Sequence, residues 1–128
     1  MNHIFVYGSL LFDDVWQRII KTEYVKQQAQ LPGYRRVTVR GQPCPALIKS
    51  PKCVTSGQII FNVKQSDMKL LDQFEGDHYV RKPVTVISFG KPRKAQVYLF
   101  KRKYIYMLSN QEWDSHKFAD KKYNVQLL

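Results

Sequence analysis

The stretch His3-Ile4-Phe5-Val6-Tyr7-Gly8-Ser9-Leu10 joins an apolar, β-prone run to a glycine and a hydroxyl residue. This pattern predicts a strand that feeds a tight turn. Glycine at position 8 would allow a positive φ and the close approach of a ligand to the backbone. The amides of such a turn can converge on an anion. Most strand–Gly–Ser turns are only turns, so this stretch by itself predicts a fold element and leaves a binding role open.

Outward from this stretch, alternating or short apolar runs predict further strands, and proline and glycine residues separate them. The clearest alternation places Val37 and Val39 between polar residues, as in a half-buried strand. The predicted strands are Ile4–Tyr7, Tyr34–Arg40, Ala46–Lys49, Gly57–Val63, Tyr79–Ser88 and Ala95–Phe100.

Helices are few, and capping signals predict three short ones. Those signals are Asp13 or Asp14 for the first, Ser66 or Asp67 for the second, and Ser109 with Glu112, before Trp113, for the third. Leu70, Leu71 and Phe74 form the predicted apolar face of the second helix, and Gly76 its C-terminal stop. Because these helices do not alternate regularly with strands, we expect an α+β fold on a small mixed or antiparallel barrel-like sheet.

Length and composition bound the class of protein. The 128 residues fit one domain spanning residues 1–128. No apolar stretch approaches the ~20 residues needed to span a bilayer, and no basic segment followed by an apolar one marks a signal peptide. We therefore expect a cytoplasmic protein. Cys44 and Cys53 match no zinc spacing, which leaves two ordinary thiols or one disulfide closing a short loop.

The formal net charge of +11 is large for a chain of this size and raises the question of nucleic-acid binding. The basic residues are nevertheless spread along the chain, with no helical stripe and no RNA-binding aromatic motif. A solvated surface that also attracts anionic metabolites is the interpretation we favour, with nucleic acid and an acidic membrane surface as alternatives.

A second chemically suggestive stretch is Leu71-Asp72-Gln73-Phe74-Glu75-Gly76. Glu75 lies at the predicted end of the second helix, at the border of its apolar stripe. Partial desolvation and the negative end of the helix dipole would both raise its pKa, toward a value useful for proton transfer. Asp77 would add a like charge that Arg81 could offset. A solvated glutamate at a helix end is the alternative, and Asp72 is expected on the surface of that helix.

Other candidate groups have weaker support in the sequence. Ser9 as a nucleophile lacks a base and a G-x-S-x-G turn. His3, His78 and His116 have no partner at metal-ligand or catalytic spacing, so the sequence predicts no metal site.

Taken in order along the chain, these motifs resemble the γ-glutamylcyclotransferase-like family, within it the AIG2-like branch. The resemblance covers almost the whole chain. The matching landmarks are Val6–Leu10, Leu31-Pro32-Gly33-Tyr34, Pro45-Ala46-Leu47, Gly57–Ile60, Leu71–Gly76 with Tyr79 and Arg81, Ala95–Tyr98, and Trp113. Two residues depart from the pattern that relatives share: Cys44 stands where an aromatic residue is frequent, and Leu11 where a basic one is. The identity of the substrate is thereby left open.

The resemblance implies a small mixed barrel with a cavity at its mouth that receives a γ-glutamyl group, with no cofactor or metal. It implies that Glu75 is the catalytic acid/base. The substrate's own α-amino group would attack its γ-carbonyl, releasing 5-oxoproline and an amine. Backbone amides of Tyr7, Gly8, Ser9 and Leu10 would hold the substrate. Tyr79 and Tyr98 would line the pocket or bond to Glu75, or would be ordinary strand aromatics. The alternative is a non-catalytic ligand- or partner-binding module on the same fold.

Overall fold

The structure is a computed structural model that describes residues 2–114. Six strands, two α-helices and two 3-10 turns make up this part of the chain. In order they are β1 (Asn2–Val6), a 3-10 turn (Ser9–Leu11), α1 (Asp13–Ile19), β2 (Lys26–Val39), β3 (Pro45–Val63), α2 (Gln65–Glu75), β4 (Tyr79–Ser88), β5 (Lys91–Phe100), a second 3-10 turn (Arg102–Met107) and β6 (Leu108–Glu112).

The sheet closes on itself. Its strand order is β3-β1-β5-β4-β2-β6, and β3 also pairs with β2, so five strands form a ring with β6 added at the end of β2. The β1–β5 pair is parallel and the other pairs are antiparallel. The predicted α+β fold on a mixed, barrel-like sheet is confirmed.

Two strands run through prolines that were expected to end them. β2 continues past Pro32-Gly33, where its partner on β3 jumps from Val54 to Lys49. The intervening residues of β3, which include Pro51, therefore have no partner on β2, and proline is tolerated at such a bulge because it has no N–H to donate. Gly33 supplies the positive φ of +85° that the irregularity requires.

The predicted third helix is wrong as far as the structure describes it. Ser109 and Glu112 lie in β6, where Glu112 pairs with Val37 of β2. The Ser109 hydroxyl bonds to Thr38 across the two strands, and its oxygen accepts a hydrogen bond from the backbone N–H of Gln111 (3.0 Å) within β6. Edge pairing with β2 thus outweighs the local capping signal, and any helix beyond Asp114 would lie outside the described residues.

The first two helices form close to their predicted positions, but the predicted caps are wrong. The N-cap of α1 is Phe12, and Asp13 and Asp14 lie in the first turn of the helix. On α2, Met68 and Leu71 are buried, whereas Leu70 is exposed. Neither Ser66 nor Asp67 caps this helix, which begins after Lys64. The helix therefore starts slightly earlier than expected and buries a narrower stripe.

The core consists of two clusters that share β1. Ile4 and Val6 pack with residues of α1 and α2, whereas Phe5 and Tyr7 pack with residues contributed by the strands. Both faces of β1 are therefore buried, which explains its continuous apolar sequence. The end of this buried strand, at Tyr7, is where the candidate site begins.

Candidate active site

The helix α2 places Glu75 at its last position. Gly76 follows with a φ of +81° and its N–H donates to the carbonyl of Asp72 (3.0 Å), which ends the helix. A residue without a Cβ adopts this backbone conformation at least cost. The sequence interpretation of Gly76 as the helix stop is therefore confirmed, and it fixes Glu75 at the carbonyl end of α2.

Glu75 and the Tyr7–Leu10 segment line the same narrow cleft. Its free space is about 10 Å³, enough for about one water molecule. The lining residues are Phe5, Val6, Tyr7, Gly8, Ser9, Leu10, Cys44, Pro45, Glu75 and Tyr98. Two segments nearly 70 residues apart in sequence thus meet, although the sequence motif of either segment alone is weak evidence for a site.

Gly8 is required at this point by space and not by a positive φ. Its φ is −127°, so the expectation of a left-handed turn is wrong. A Cβ at this position would lie 2.7 Å from Cδ of Pro45, closer than side chains pack. The absence of a side chain lets the backbone of the segment lie directly against Pro45.

Tyr7 is held at both ends, which fixes the start of the segment. Its buried hydroxyl donates to the carbonyl of Tyr98 (2.6 Å). Its own carbonyl accepts a hydrogen bond from Nη1 of Arg36 (2.8 Å). Burial raises the pKa of the Tyr7 hydroxyl well above its ordinary value, so this group stays protonated and remains a donor.

Ser9 and Leu10 follow in the 3-10 turn and are buried. The Ser9 hydroxyl lies 3.4 Å from Sγ of Cys44, and no hydrogen bond among residues 2–114 pairs it with a histidine or carboxylate. Burial raises the pKa of the Cys44 thiol to about 11, so it is not a thiolate near neutral pH. Neither group is therefore arranged as an activated nucleophile.

The carboxyl group of Glu75 has a strongly shifted acidity. Burial, followed by the like charge of Asp72, raises its pKa from 4.5 to about 8. From the sequence, desolvation and a like charge on Asp77 were expected to raise the pKa of Glu75. Desolvation does so, but Asp77 is exposed. The side chain one turn earlier on the helix, Asp72, provides the like charge instead.

Asp72 is partly exposed on the helix surface, as the sequence predicted, but its carboxylate is held by hydrogen bonds that the sequence did not predict. Its carboxylate accepts hydrogen bonds from Nε (2.7 Å) and Nη2 (3.1 Å) of Arg81 and from the Tyr98 hydroxyl (2.7 Å). Burial acts to raise the pKa of Asp72, but these hydrogen bonds and the charge of Arg81 outweigh it and lower the pKa. Asp72 is therefore ionised, and it lies beside the Glu75 carboxyl group, whose raised pKa disfavours ionisation.

The two tyrosines singled out from sequence take different positions. Tyr98 lines the cleft, with its hydroxyl on Asp72. Tyr79 lies next to the cleft and donates from its hydroxyl to the carbonyl of Pro45 (2.8 Å). Burial raises the pKa of both hydroxyls. Among the described residues, no hydrogen bond joins either tyrosine to Glu75.

Sequence reasoning missed Arg36 as a residue that supports the site. Its guanidinium lies 5.5 Å from the centre of the Trp113 ring, and the indole N–H donates to the carbonyl of Pro43 (2.8 Å). Arg36 therefore links the Tyr7 segment, through Trp113, to the loop that carries Pro43 and Cys44. In the sequence, Arg36 is a charged residue on a predicted strand. Nothing in the sequence distinguishes it from a charged residue that is exposed to solvent.

A larger groove of about 370 Å³ lies beside α1, lined by residues such as Asp13, Trp16 and Tyr24. Leu10 lines both spaces, but Glu75 and Tyr98 line only the narrow cleft. Size alone would favour the groove. The shifted acidity of Glu75 makes the narrow cleft the candidate active site.

Other chemistry has little support within residues 2–114. Cys44 and Cys53 are both free thiols. No group of three or more His, Cys, Asp or Glu side chains in this range could hold a metal ion. The helices of this part of the chain are all too short or too polar to cross a membrane.

Comparisons with known proteins agree with this fold. A family sequence model described as gamma-glutamyl cyclotransferase, AIG2-like, matches residues 4–122. AIG2-like protein D of Arabidopsis thaliana is 30% identical over 106 residues, covering 80% of this chain and 70% of that protein. The chain belongs to the AIG2-like gamma-glutamyl cyclotransferase family. It spans between 56% and 59% of the length of six further AIG2 and AIG2-like proteins of the same plant.

Solved structures show the same architecture. A solution structure of an Arabidopsis thaliana protein superposes with a TM-score of 0.75 at 27% identity, over 96% of this chain and 75% of that one. A structure named gamma-glutamyl cyclotransferase gives a TM-score of 0.70 at 20% identity, over 78% of this chain and 66% of that one. At 20% identity the likeness concerns the fold alone.

Proposed function

We propose that this protein is a γ-glutamylcyclotransferase that converts a γ-glutamyl amine or peptide into 5-oxoproline and a free amine, with Glu75 as the acid/base. The observation that carries the proposal is the position of Glu75, whose pKa is about 8, on the same cleft as the Tyr7–Leu10 segment. Family membership supports the reaction class.

The proposed reaction needs only one proton shuttle. The neutral α-amino nitrogen of the substrate attacks the γ-carbonyl carbon of the same molecule and gives one proton to the Glu75 carboxylate. A ring C–N bond forms as the C–N bond to the leaving amine breaks. Glu75 then gives its proton to that amine. The nucleophile belongs to the substrate, so neither Ser9 nor Cys44 has to be activated.

The energetics suit a site of this kind. Intramolecular ring closure in a well-oriented complex can gain roughly 7–11 kcal/mol. A general acid/base typically adds about 100- to 10,000-fold, and is most effective when its pKa lies near the working pH. Backbone amides of the Tyr7–Leu10 segment would stabilise the developing oxyanion.

A γ-glutamyl group is larger than the free space of about 10 Å³ in the cleft. Substrate binding therefore requires the cleft to widen. Cys44, whose thiol faces Ser9, lies on the loop before β3, whereas Pro45 begins β3 and pairs with Thr38 of β2. The Cys44 side of the cleft is therefore the wall that we expect to move.

The test is release of 5-oxoproline from a panel of γ-glutamyl amines and dipeptides. We expect turnover by the wild type and a loss of at least about 100-fold in kcat for Glu75→Gln, since the amide cannot shuttle a proton. Glu23→Gln is the matched control, because Glu23 is exposed and its substitution removes the same charge. Full activity of Glu75→Gln would refute the assigned role.

A non-catalytic binding module on the same fold is the second candidate, favoured by the narrow cleft and the net charge of +11. It predicts that γ-glutamyl compounds or other anions bind without turnover and that binding survives Glu75→Gln. Calorimetric titration of the wild type and variant with the same panel separates the two candidates.

A further inference from the structure

Asp72 connects the catalytic turn of α2 to two strands. It lies three residues before Glu75, on the same side of the helix. Its carboxylate accepts two hydrogen bonds from Arg81 of β4, at 2.7 and 3.1 Å, and one of 2.7 Å from the Tyr98 hydroxyl of β5. Charged bonds with this bidentate geometry are strong and directional. They fix the last turn of α2 against the sheet.

The same network reaches the other half of the cleft. Tyr98 accepts, at its carbonyl, the hydrogen bond of 2.6 Å from the Tyr7 hydroxyl. Nη1 of Arg81 donates to Oε1 of Gln96 (3.3 Å), which holds the guanidinium along β5. A continuous chain of contacts therefore runs from the Tyr7–Leu10 segment through Tyr98 to Asp72, and Glu75 lies one turn beyond it.

We propose that Asp72 is a positioning residue: by holding Tyr98 and Arg81 it fixes the end of α2 and directs the Glu75 carboxyl toward the Tyr7–Leu10 segment. The kinetic test of this inference rests on the proposed function, whereas its spectroscopic test does not. The role is distinct from that of Glu75, because the pKa of Asp72 is lowered and its carboxylate accepts three hydrogen bonds from Arg81 and Tyr98.

This arrangement also couples Asp72 and Arg81 to the ionisation of Glu75 with opposite signs. The other titratable groups that face Glu75 are Tyr7 on β1, Tyr79 on β4, Tyr98 on β5 and Cys44 before β3. Burial raises the pKa of each of them, so they are neutral in the pH range in which Glu75 ionises. Asp72 and its partner Arg81 are thus the charged pair beside Glu75.

Two variants should shift the pH dependence of turnover in opposite directions. Asp72→Asn removes a negative charge, so the acid limb of kcat/KM should move down by about one pH unit. Arg81→Gln leaves Asp72 uncompensated, so the limb should move up. In both variants kcat should fall roughly tenfold with KM nearly unchanged, because the base is misaligned. Asp13→Asn, which breaks the exposed ion pair to Lys26, is the control and should change neither quantity.

If Asp72 and Arg81 had a purely structural role, both variants would have lower thermal stability, but the acid limbs of their pH profiles would not move in opposite directions. Unshifted limbs in both variants, or a kcat within about twofold of wild type in Asp72→Asn, would overturn the inference. Tyr98→Phe removes a single hydroxyl and keeps the test open if Asp72→Asn does not fold. We expect this variant to lower kcat with little change in KM.

Carbon-13 titration of the Glu75 carboxyl supplies the readout that does not depend on activity. A lower pKa in Asp72→Asn and a higher one in Arg81→Gln would support the inference even if no γ-glutamyl compound were turned over, in which case only the proposed function fails. Turnover by the wild type with an unchanged Glu75 titration in both variants would overturn the inference and leave the proposed function standing.

Discussion

At the scale of single residues, the proposed chemistry depends on one carboxyl group, that of Glu75, whose surroundings disfavour its charge. The sequence predicted its place at the end of an amphipathic helix before a glycine, and the family resemblance made it the candidate acid/base. Burial and the ionised Asp72 raise its pKa to about 8. An acid with this pKa can both accept and donate a proton near neutral pH.

The raised pKa makes folding stability depend on pH. Glu75 ionises near pH 4.5 when unfolded and near pH 8 when folded, so the folded state binds more protons between these values. Stability from this group is therefore complete below about pH 4.5 and is lost as the pH rises toward 8.

Glu75→Gln removes this dependence. Relative to wild type, the variant should gain on the order of 4 kcal/mol in unfolding free energy between pH 5 and pH 9, since about three pH units separate pH 5 from the folded pKa and each corresponds to about 1.4 kcal/mol. Urea denaturation at both pH values measures the difference. Glu23→Gln should show a constant difference, and a constant difference for Glu75→Gln would contradict the shifted pKa.

At the scale of elements, the site depends on how β1 lies against β3. Gly57 of β3 packs so closely that a Cβ would lie 2.2 Å from the carbonyl oxygen of Val6 and 2.8 Å from the Phe5 ring. The backbone that leads into Tyr7 is thus held by a glycine on the neighbouring strand. Its role is to provide space, as at Gly8.

Gly57→Ala should therefore push β1 away from β3. We expect a loss of about 2 kcal/mol or more in unfolding free energy, because the clash involves backbone as well as side chain. Gly90→Ala is a comparison in which the added Cβ meets no atom within 4 Å, although its φ of +73° adds backbone strain. Turnover per folded molecule should fall only in Gly57→Ala, and equal turnover in both would contradict the proposed link to the site.

At the scale of the whole molecule, the ring of strands makes the described part of the chain a single packing unit. β1 contributes alternate residues to both core clusters, and β2 pairs with β3, β4 and β6. Neither cluster can lose β1 and remain packed. The site is built across this unit, since its two halves come from β1 and from the end of α2.

Unfolding should accordingly be cooperative. We expect the tryptophan fluorescence and the far-UV circular dichroism to give the same denaturation midpoint. Trp113 is buried in the helix-side cluster and reports on β6, the strand outside the ring. An earlier fluorescence transition would show that β6 separates before the ring unfolds. Trp16→Phe assigns the signal to Trp113.

The sequence by itself determined most of the strands and the first two helices, and it made Glu75 a candidate residue. Apolar runs predicted the strands, Gly76 predicted the end of α2, and the helical position of Glu75 predicted a raised pKa. These features are local, because hydrophobic period and chain stops act over a few residues. Only tertiary structure decided which charges surround Glu75, that Pro32 and Pro51 lie within strands, and that Ser109 belongs to β6. These outcomes depend on pairing between distant segments. A segment that pairs with a partner strand can have a lower free energy than the same segment in the conformation that its local sequence favours.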